Sequence, residues 1–114
     1  MEAAEKLLTD IGVPHHLDGR VYLECILSNC QMSDIRKSIV RGYEVVSTQH
    51  DVSSARVERG IRYAKEWVID NGVNDAFDNI FGNTVRYSTG GVTNKHFILG
   101  LMGHLKNLAG EGRS

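Results

Sequence analysis

The stretch VSSARVERGIRYAK, from Val52 to Lys65, decides the fold of this chain. Its apolar residues recur at spacings of four and three, so they share one side of an α-helix. This apolar stripe consists of Val57, Ile61, Ala64 and Val68. We therefore predict one amphipathic helix from about residue 54 to residue 70.

The opposite side of this helix is rich in arginine. Arg59 points almost directly away from the stripe, with Arg62 and Tyr63 beside it, while Arg56 and Glu58 lie on the flanks. Arginine reads guanine and glutamate reads cytosine in a DNA major groove. Arginines spaced by three are also common on solvated helix surfaces. The pattern thus leads to the hypothesis that this helix enters DNA, beside the simpler reading of a solvated face.

Length and composition indicate one globular domain. We assign all 114 residues, 1–114, to one domain with an ordered core of about 3–108. The chain is 41% hydrophobic and 24% charged, typical of soluble domains that fold without crosslinks. No apolar run approaches the ~20 residues of a membrane-spanning helix. The N-terminal residues also lack the apolar core of a secretory signal, so we expect a cytoplasmic protein.

Charge is unevenly distributed along the chain. The formal net charge of −1 does not by itself indicate nucleic-acid binding. Residues 33–65 nevertheless contain seven basic and four acidic side chains, a local excess of +3. The basic ones are Arg36, Lys37, Arg41, Arg56, Arg59, Arg62 and Lys65. We read this as a modest basic patch.

Neither metal binding nor catalysis is indicated. Cys25 and Cys30 are five residues apart and would not face each other on one helix, which favours buried or semi-buried thiols over a disulfide. The five histidines match no zinc-ligand spacing. His15-His16, or His50 with Asp51, have no paired nucleophile and no phosphate-binding glycine loop. We predict no metal, no cofactor and no enzymatic activity.

The rest of the chain is also predicted to be helical. It has a single proline, and its apolar residues mostly repeat at three and four. We predict six helices, over about residues 2–11, 20–28, 33–50, 54–70, 73–81 and from 94 onward. Asp18 and Thr93 are candidate N-caps, and Gly42 is a candidate kink. Residues 83–92 are expected to be irregular or to form a small hairpin.

The third and fourth of these helices form a candidate helix-turn-helix. The short turn between them, Asp51-Val52-Ser53, contains residues that cap helices. In such motifs the second helix lies in the groove and the first crosses the DNA backbone. This would place the arginine-rich helix in the major groove.

Four sequence blocks give the chain a specific resemblance. Ile11-Gly12-Val13-Pro14, followed by His16 and Gly19, resembles "IGVPAHIKG". Residues 56–62 resemble the centre of "SRVERAIRHA", Phe81 to Val85 resembles "FGYTV", and Thr93 to Ile98 resembles "PTNSEFI". Their order and spacing agree from about Leu7 to Leu105. These blocks resemble the C-terminal effector domain of the stage-zero sporulation protein A family, the sporulation master response regulator.

The resemblance implies a six-helix domain that binds short, often tandem, double-stranded promoter boxes and controls sporulation genes. On this reading Arg59 is the main guanine reader and Glu58 accepts a hydrogen bond from cytosine, while Arg56 and Arg62 contact bases or phosphates. Lys95 is a phosphate candidate. Tandem boxes imply head-to-tail self-association, for which residues 83–92 and the last helix are candidates, and RNA polymerase is a further candidate partner.

The chain also departs from the family. Ser54 and Tyr63 stand where the family has proline and histidine, and both are further candidate contacts or caps. Thr48 and Gln49 replace paired lysines, which should weaken attraction to phosphates. Nothing in the sequence supplies a receiver domain. The near-neutral net charge and the loss of these two lysines favour an alternative, a helical protein–protein adaptor that retains the fold without specific DNA binding.

Overall fold

The computed structural model describes residues 2–82 and 92–111, and all regular elements in these ranges are helices. They are α1 (Glu2–Asp10), α2 (Asp18–Asn29), α3 (Met32–Lys37), α4 (Ile39–His50), α5 (Ser54–Asp70), α6 (Asp75–Phe81) and α7 (Asn94–Glu111). None is long and apolar enough to cross a membrane. The all-helical class is confirmed for this part of the chain. Of the segment 83–92, only Val92 lies among the described residues.

The described residues form seven helices where six were predicted, because the third predicted helix is divided at Ser38. Ser38 has an extended backbone, and its N–H bonds to the carbonyl of Asp34 to end α3. Gly42, the predicted kink, lies inside α4 instead. A Cβ on Gly42 would approach Ile35 Cδ1 to 2.8 Å. The glycine thus makes room for α3 to fold back against α4, and the break occurs four residues earlier.

Side chains cap the starts of α5, α6 and α7, whereas α2, α3 and α4 begin without a side-chain cap. Thr93 caps α7 as predicted, since its Oγ1 accepts a hydrogen bond from the N–H of His96 at 3.0 Å. Asn74 caps α6 in the same way and moves its start to Asp75. Asp18 was predicted as the cap of α2 but is its first helical residue. Leu17 occupies the cap position without a side-chain hydrogen bond.

One core joins all seven helices of the described ranges. Phe77, Phe81 and Phe97 stack at its α6–α7 end, with ring centroids 4.6 to 6.3 Å apart. The apolar residues Val21 and Leu108 remain outside this core, at 41% and 47% exposure. Leu108 lies near the C-terminal end of α7, beyond the packed residues Leu101 and Leu105 on that helix.

A buried arginine fastens α1 to α2. Arg20 is only 2% exposed, and its Nε donates to Glu24 Oε1 at 2.8 Å. Its terminal nitrogens donate to the carbonyls of Val13 and Glu5 and to Thr9 Oγ1, at 2.8 to 2.9 Å. This single side chain therefore ties together the first helix, the loop after it and the second helix.

Both cysteines are free thiols, and the prediction of buried or semi-buried thiols is confirmed. Cys25 is buried and Cys30 is partly buried. Burial raises the pKa of each thiol. At neutral pH these side chains are therefore protonated, weakly polar groups of the core.

Candidate nucleic-acid interface

The arginine-rich helix begins at a well-defined turn. Asp51 has a left-handed backbone (φ 52°) that ends α4, and the hydroxyl of Ser47 bonds to the carbonyl of Val52. Aspartate tolerates this conformation better than most residues. Ser53 then caps α5, because its Oγ accepts from the N–H of Arg56 at 3.1 Å. The helix runs from Ser54 to Asp70, as predicted.

The inner face of α5 is firmly anchored. The predicted stripe is confirmed, since Val57, Ile61, Ala64 and Val68 are at most 2% exposed. Lys65 is buried as well, at 9% exposure, and loss of hydration lowers the pKa of its ammonium group. Of the seven basic side chains in the predicted basic patch, six are therefore exposed and Lys65 is not.

The outer face of α5 presents most of the predicted contacts. Arg56, Arg59, Arg62 and Tyr63 are all exposed, whereas Ser54 is half-buried. Arg59 has no hydrogen bond or ion pair with any of the described residues. Its guanidinium group, at the centre of the face, is therefore free to bind an acceptor.

Glu58 and Arg62 hold each other on one flank of this face. Arg62 Nη1 donates to Glu58 Oε1 at 3.0 Å, one helical turn away. An ion pair of this kind contributes about 0.3–0.5 kcal/mol. It is weak enough that either partner can exchange it for a base or a phosphate.

A cleft of about 600 Å³ lies between the outer face of α5 and the start of α2. The two helices approach closely at a pair of glycines. A Cβ on Gly19 would overlap the carbonyl oxygen of Gly60, and a Cβ on Gly60 would lie 2.8 Å from the ring of Tyr22. Arg56, Arg59, Arg62 and Tyr63 all line this cleft. The structure thus brings four of the seven predicted site residues together.

The cleft also contains acidic residues that the sequence reasoning did not assign to the site. Asp18 faces Arg56, with 3.6 Å between the carboxylate and guanidinium groups, and Glu66 lies among the arginines. Glu66 follows Arg62 by four positions, so the helical period alone could have identified it. No local pattern connects Asp18 with Arg56, because the two belong to different helices.

The start of α7 lies against the start of α5. Asn94 Nδ2 donates to the carbonyl of Glu58 at 3.2 Å and to the hydroxyl of Tyr43 at 3.1 Å. Burial raises the pKa of that tyrosine. Lys95, the next residue, donates from Nζ to the carbonyl of Arg36 at 2.7 Å and so joins α7 to the end of α3. Lys95 therefore lies apart from the cleft, on a neighbouring element.

This arrangement is suited to a large polyanion. It has three exposed guanidinium groups on one rigid helix, and it has no group of three or more metal-binding side chains among the described residues. Guanidinium groups bind phosphate oxygens and the acceptor edge of guanine by two parallel hydrogen bonds. The surface thus offers hydrogen-bond donors and positive charge that suit a nucleic acid.

Comparison with known proteins agrees with this chemistry. No solved structure matches the chain. Residues 4–105 match the family described as sporulation initiation factor Spo0A C terminal. The match covers nearly the whole chain and includes the four sequence blocks described above. This chain belongs to that family of DNA-binding effector domains of response regulators, which regulate transcription in sporulation.

Proposed function

We propose that this domain recognises a specific sequence in double-stranded DNA and so regulates sporulation-type genes. The helices α4 and α5 form a helix-turn-helix, and α5 lies in the major groove. The observation that carries this proposal is Arg59, which is exposed and without a partner among the described residues at the centre of a capped and anchored helix.

The dimensions of α5 fit this role. Its 17 residues span about 25 Å, and a helix of ~10–12 Å diameter fits the major groove, which is about 12 Å wide. Because the stripe opposite Arg59 is fully buried, the arginine face is held at a fixed angle to the rest of the domain. A fixed helix can present its side chains to the same base positions each time it binds.

Each exposed side chain has a role that follows from its chemistry. Arg59 donates two hydrogen bonds to O6 and N7 of a guanine, and Glu58 accepts from the N4 amino group of a cytosine. Arg56 and Arg62 contact bases or phosphates, with Ser54 and Tyr63 at the edges of the face. Lys95 reaches a phosphate near the start of α7, where free N–H groups add to the attraction.

A selection on random duplex DNA tests this proposal. The wild-type domain is used to enrich a preferred box, and its affinity for that box is compared with a scrambled duplex. Arg59→Ala should reduce the preference by about 5- to 150-fold, the effect of losing one bidentate base contact. Arg59→Lys should keep much of the general affinity but lose most of the preference, because lysine lacks the planar fork.

Lys106→Ala is the matched control, since it removes one exposed cation from the far half of α7. It should leave the preference unchanged. Unaltered preference in Arg59→Ala would contradict the assignment of α5 as the reading helix. A wild-type domain that binds no duplex at low salt would instead support the protein–protein adaptor.

We also propose that domains contact one another on tandem boxes, head to tail. The candidate surfaces are α7 and residues 83–92, of which Val92 is buried and so contributes no surface. Contact between neighbouring domains makes binding to two boxes cooperative. Analytical sedimentation of the domain with duplexes that carry one box or two boxes tests this.

RNA polymerase is a further partner that we propose for the DNA-bound domain.

A further inference from the structure

An ion pair crosses the cleft beside the proposed reading helix. Asp18, the first residue of α2, places Oδ2 3.6 Å from Nη2 of Arg56, the third residue of α5. Both side chains are largely exposed, Asp18 at 68% and Arg56 at 59%. The carboxylate therefore lies on the surface that would face DNA.

The position of Asp18 is set by the packing of the backbone. Gly19, the next residue, lies so close to Gly60 that no side chain fits between the two helices. Asp18 is thus held next to the first turn of α5. This distinguishes it from Glu58, the partner of Arg62, which lies on the same helix as the arginine that it pairs with.

The three arginines of the cleft therefore differ in their ion-pair partners before DNA binds. Arg59 has no partner among the described residues, Arg62 pairs with Glu58, and Arg56 pairs with a carboxylate from another helix. When DNA arrives, Arg56 must exchange this carboxylate for a phosphate or base. Asp18 then remains, unpaired and negative, beside a polyanion.

We propose that Asp18 competes with DNA for Arg56 and thereby sets the absolute affinity of the domain, without contributing to base preference. This inference rests on the proposed function. Competition of this kind lowers affinity for every duplex by a similar factor, because it acts through charge and not through base edges. It also reduces the number of counterions released on binding, so the salt dependence becomes shallower.

A double-mutant cycle tests the inference on the full chain. Wild type, Asp18→Asn, Arg56→Ala and the double variant are titrated with the selected box and with the scrambled duplex at several salt concentrations. Asp18→Asn should bind both duplexes about two- to five-fold more tightly, the range expected for an exposed ion pair. The slope of log affinity against log salt should steepen by up to about one unit.

The gain should be clearly smaller when Arg56 is absent, since the carboxylate then has no arginine to withhold and only its repulsion of the DNA phosphates remains. Asp75→Asn is the matched control: it removes one exposed carboxylate from α6, outside the cleft, and should change neither affinity nor slope by a comparable amount. Circular dichroism verifies that each variant is folded. Asp18 is not the cap of α2, so the helix should form without its charge.

Three results would overturn the inference: unchanged affinity in Asp18→Asn, an equal gain in the Arg56→Ala background, or weaker binding to the box alone. The last would mean that Asp18 positions Arg56 for a base. Failure of the proposed function is distinguishable, because it appears in the wild type as absence of duplex binding or in Arg59→Ala as unaltered preference.

Discussion

Asn94 and Glu58 are joined by a hydrogen bond of 3.2 Å from the side-chain amide of one to the backbone carbonyl of the other. The same amide nitrogen donates to the hydroxyl of Tyr43. The start of α7 is thereby fixed to α4 and to the first half of α5. The orientation of the arginine face thus depends on a residue that itself lies outside α5.

Replacing Asn94 should loosen this junction. We expect Asn94→Ala to lower the free energy of unfolding by about 1–2 kcal/mol, because two hydrogen bonds of a half-buried group are lost. Urea denaturation measures this. Asn107→Ala, at an exposed position on the same helix, is the control and should have little effect. Equal stabilities of the two variants would show that the junction is energetically unimportant.

The close approach of α2 and α5 should not tolerate a methyl group. In Gly19→Ala, the added Cβ would overlap the carbonyl oxygen of Gly60 and lie 2.8 Å from Ala64 Cβ. The backbone of α2 or α5 would therefore have to move. We expect a loss of stability of about 1–3 kcal/mol or more. Gly103→Ala is the counterpart, since its Cβ would only touch Met32 at 3.8 Å. That change should stabilise the helix by up to ~1 kcal/mol, and thermal unfolding compares the two.

Substitution of the buried Arg20 should lower the free energy of unfolding more than most other substitutions in the domain. Arg20→Met keeps an unbranched apolar stem but removes the donors to Val13, Glu5 and Thr9, and leaves Glu24 without its partner. We expect a loss of about 3–5 kcal/mol, by analogy with breaking a buried ion pair. Arg41→Met removes an exposed arginine and should stay within ~0.5 kcal/mol of wild type. Similar denaturation midpoints for the two variants would contradict a stabilising role for the buried Arg20 side chain.

The charged Lys65 should lower the free energy of unfolding at neutral pH. Because loss of hydration lowers its pKa in the folded state, the unfolded chain binds more protons between that lowered pKa and 10.5, and stability rises with pH across this window. Lys65→Met should therefore be more stable than wild type at pH 7, with a difference that shrinks as pH approaches 10.5. Paired urea titrations at pH 7 and pH 10 measure it. A constant difference would indicate that packing, not charge, is responsible.

The two thiols should react slowly with alkylating agents. Burial raises the pKa of Cys25 and Cys30, so less thiolate is present in the folded protein than in the unfolded chain at the same pH. Alkylation rates, resolved for each cysteine by mass spectrometry, should reach their midpoint above pH 9.0 in the folded state. A midpoint equal to that of the urea-unfolded chain would contradict this. The same shift makes both thiols lower the stability as pH rises past 9.0.

The sequence predicts those features correctly that depend on residues close together in the chain. The period of three and four gave the bounds and buried face of α5, and Thr93 was identified as a cap by its type and position. The division at Ser38 was missed because its cause is tertiary: Ile35 packs on Gly42, and the chain turns between them. The burial of Lys65 was missed because a charged side chain gives no signal of the helices that cover it.

By itself, the sequence determined an all-helical domain, the arginine face of α5 and membership of the family, because each is encoded in residues a few positions apart. Only the tertiary structure decided what surrounds that face. It placed Asp18 against Arg56, the amide of Asn94 on the backbone of Glu58, and Gly19 against Gly60. These contacts join residues far apart in the chain, and they exist only because burial of one shared core brings the helices together.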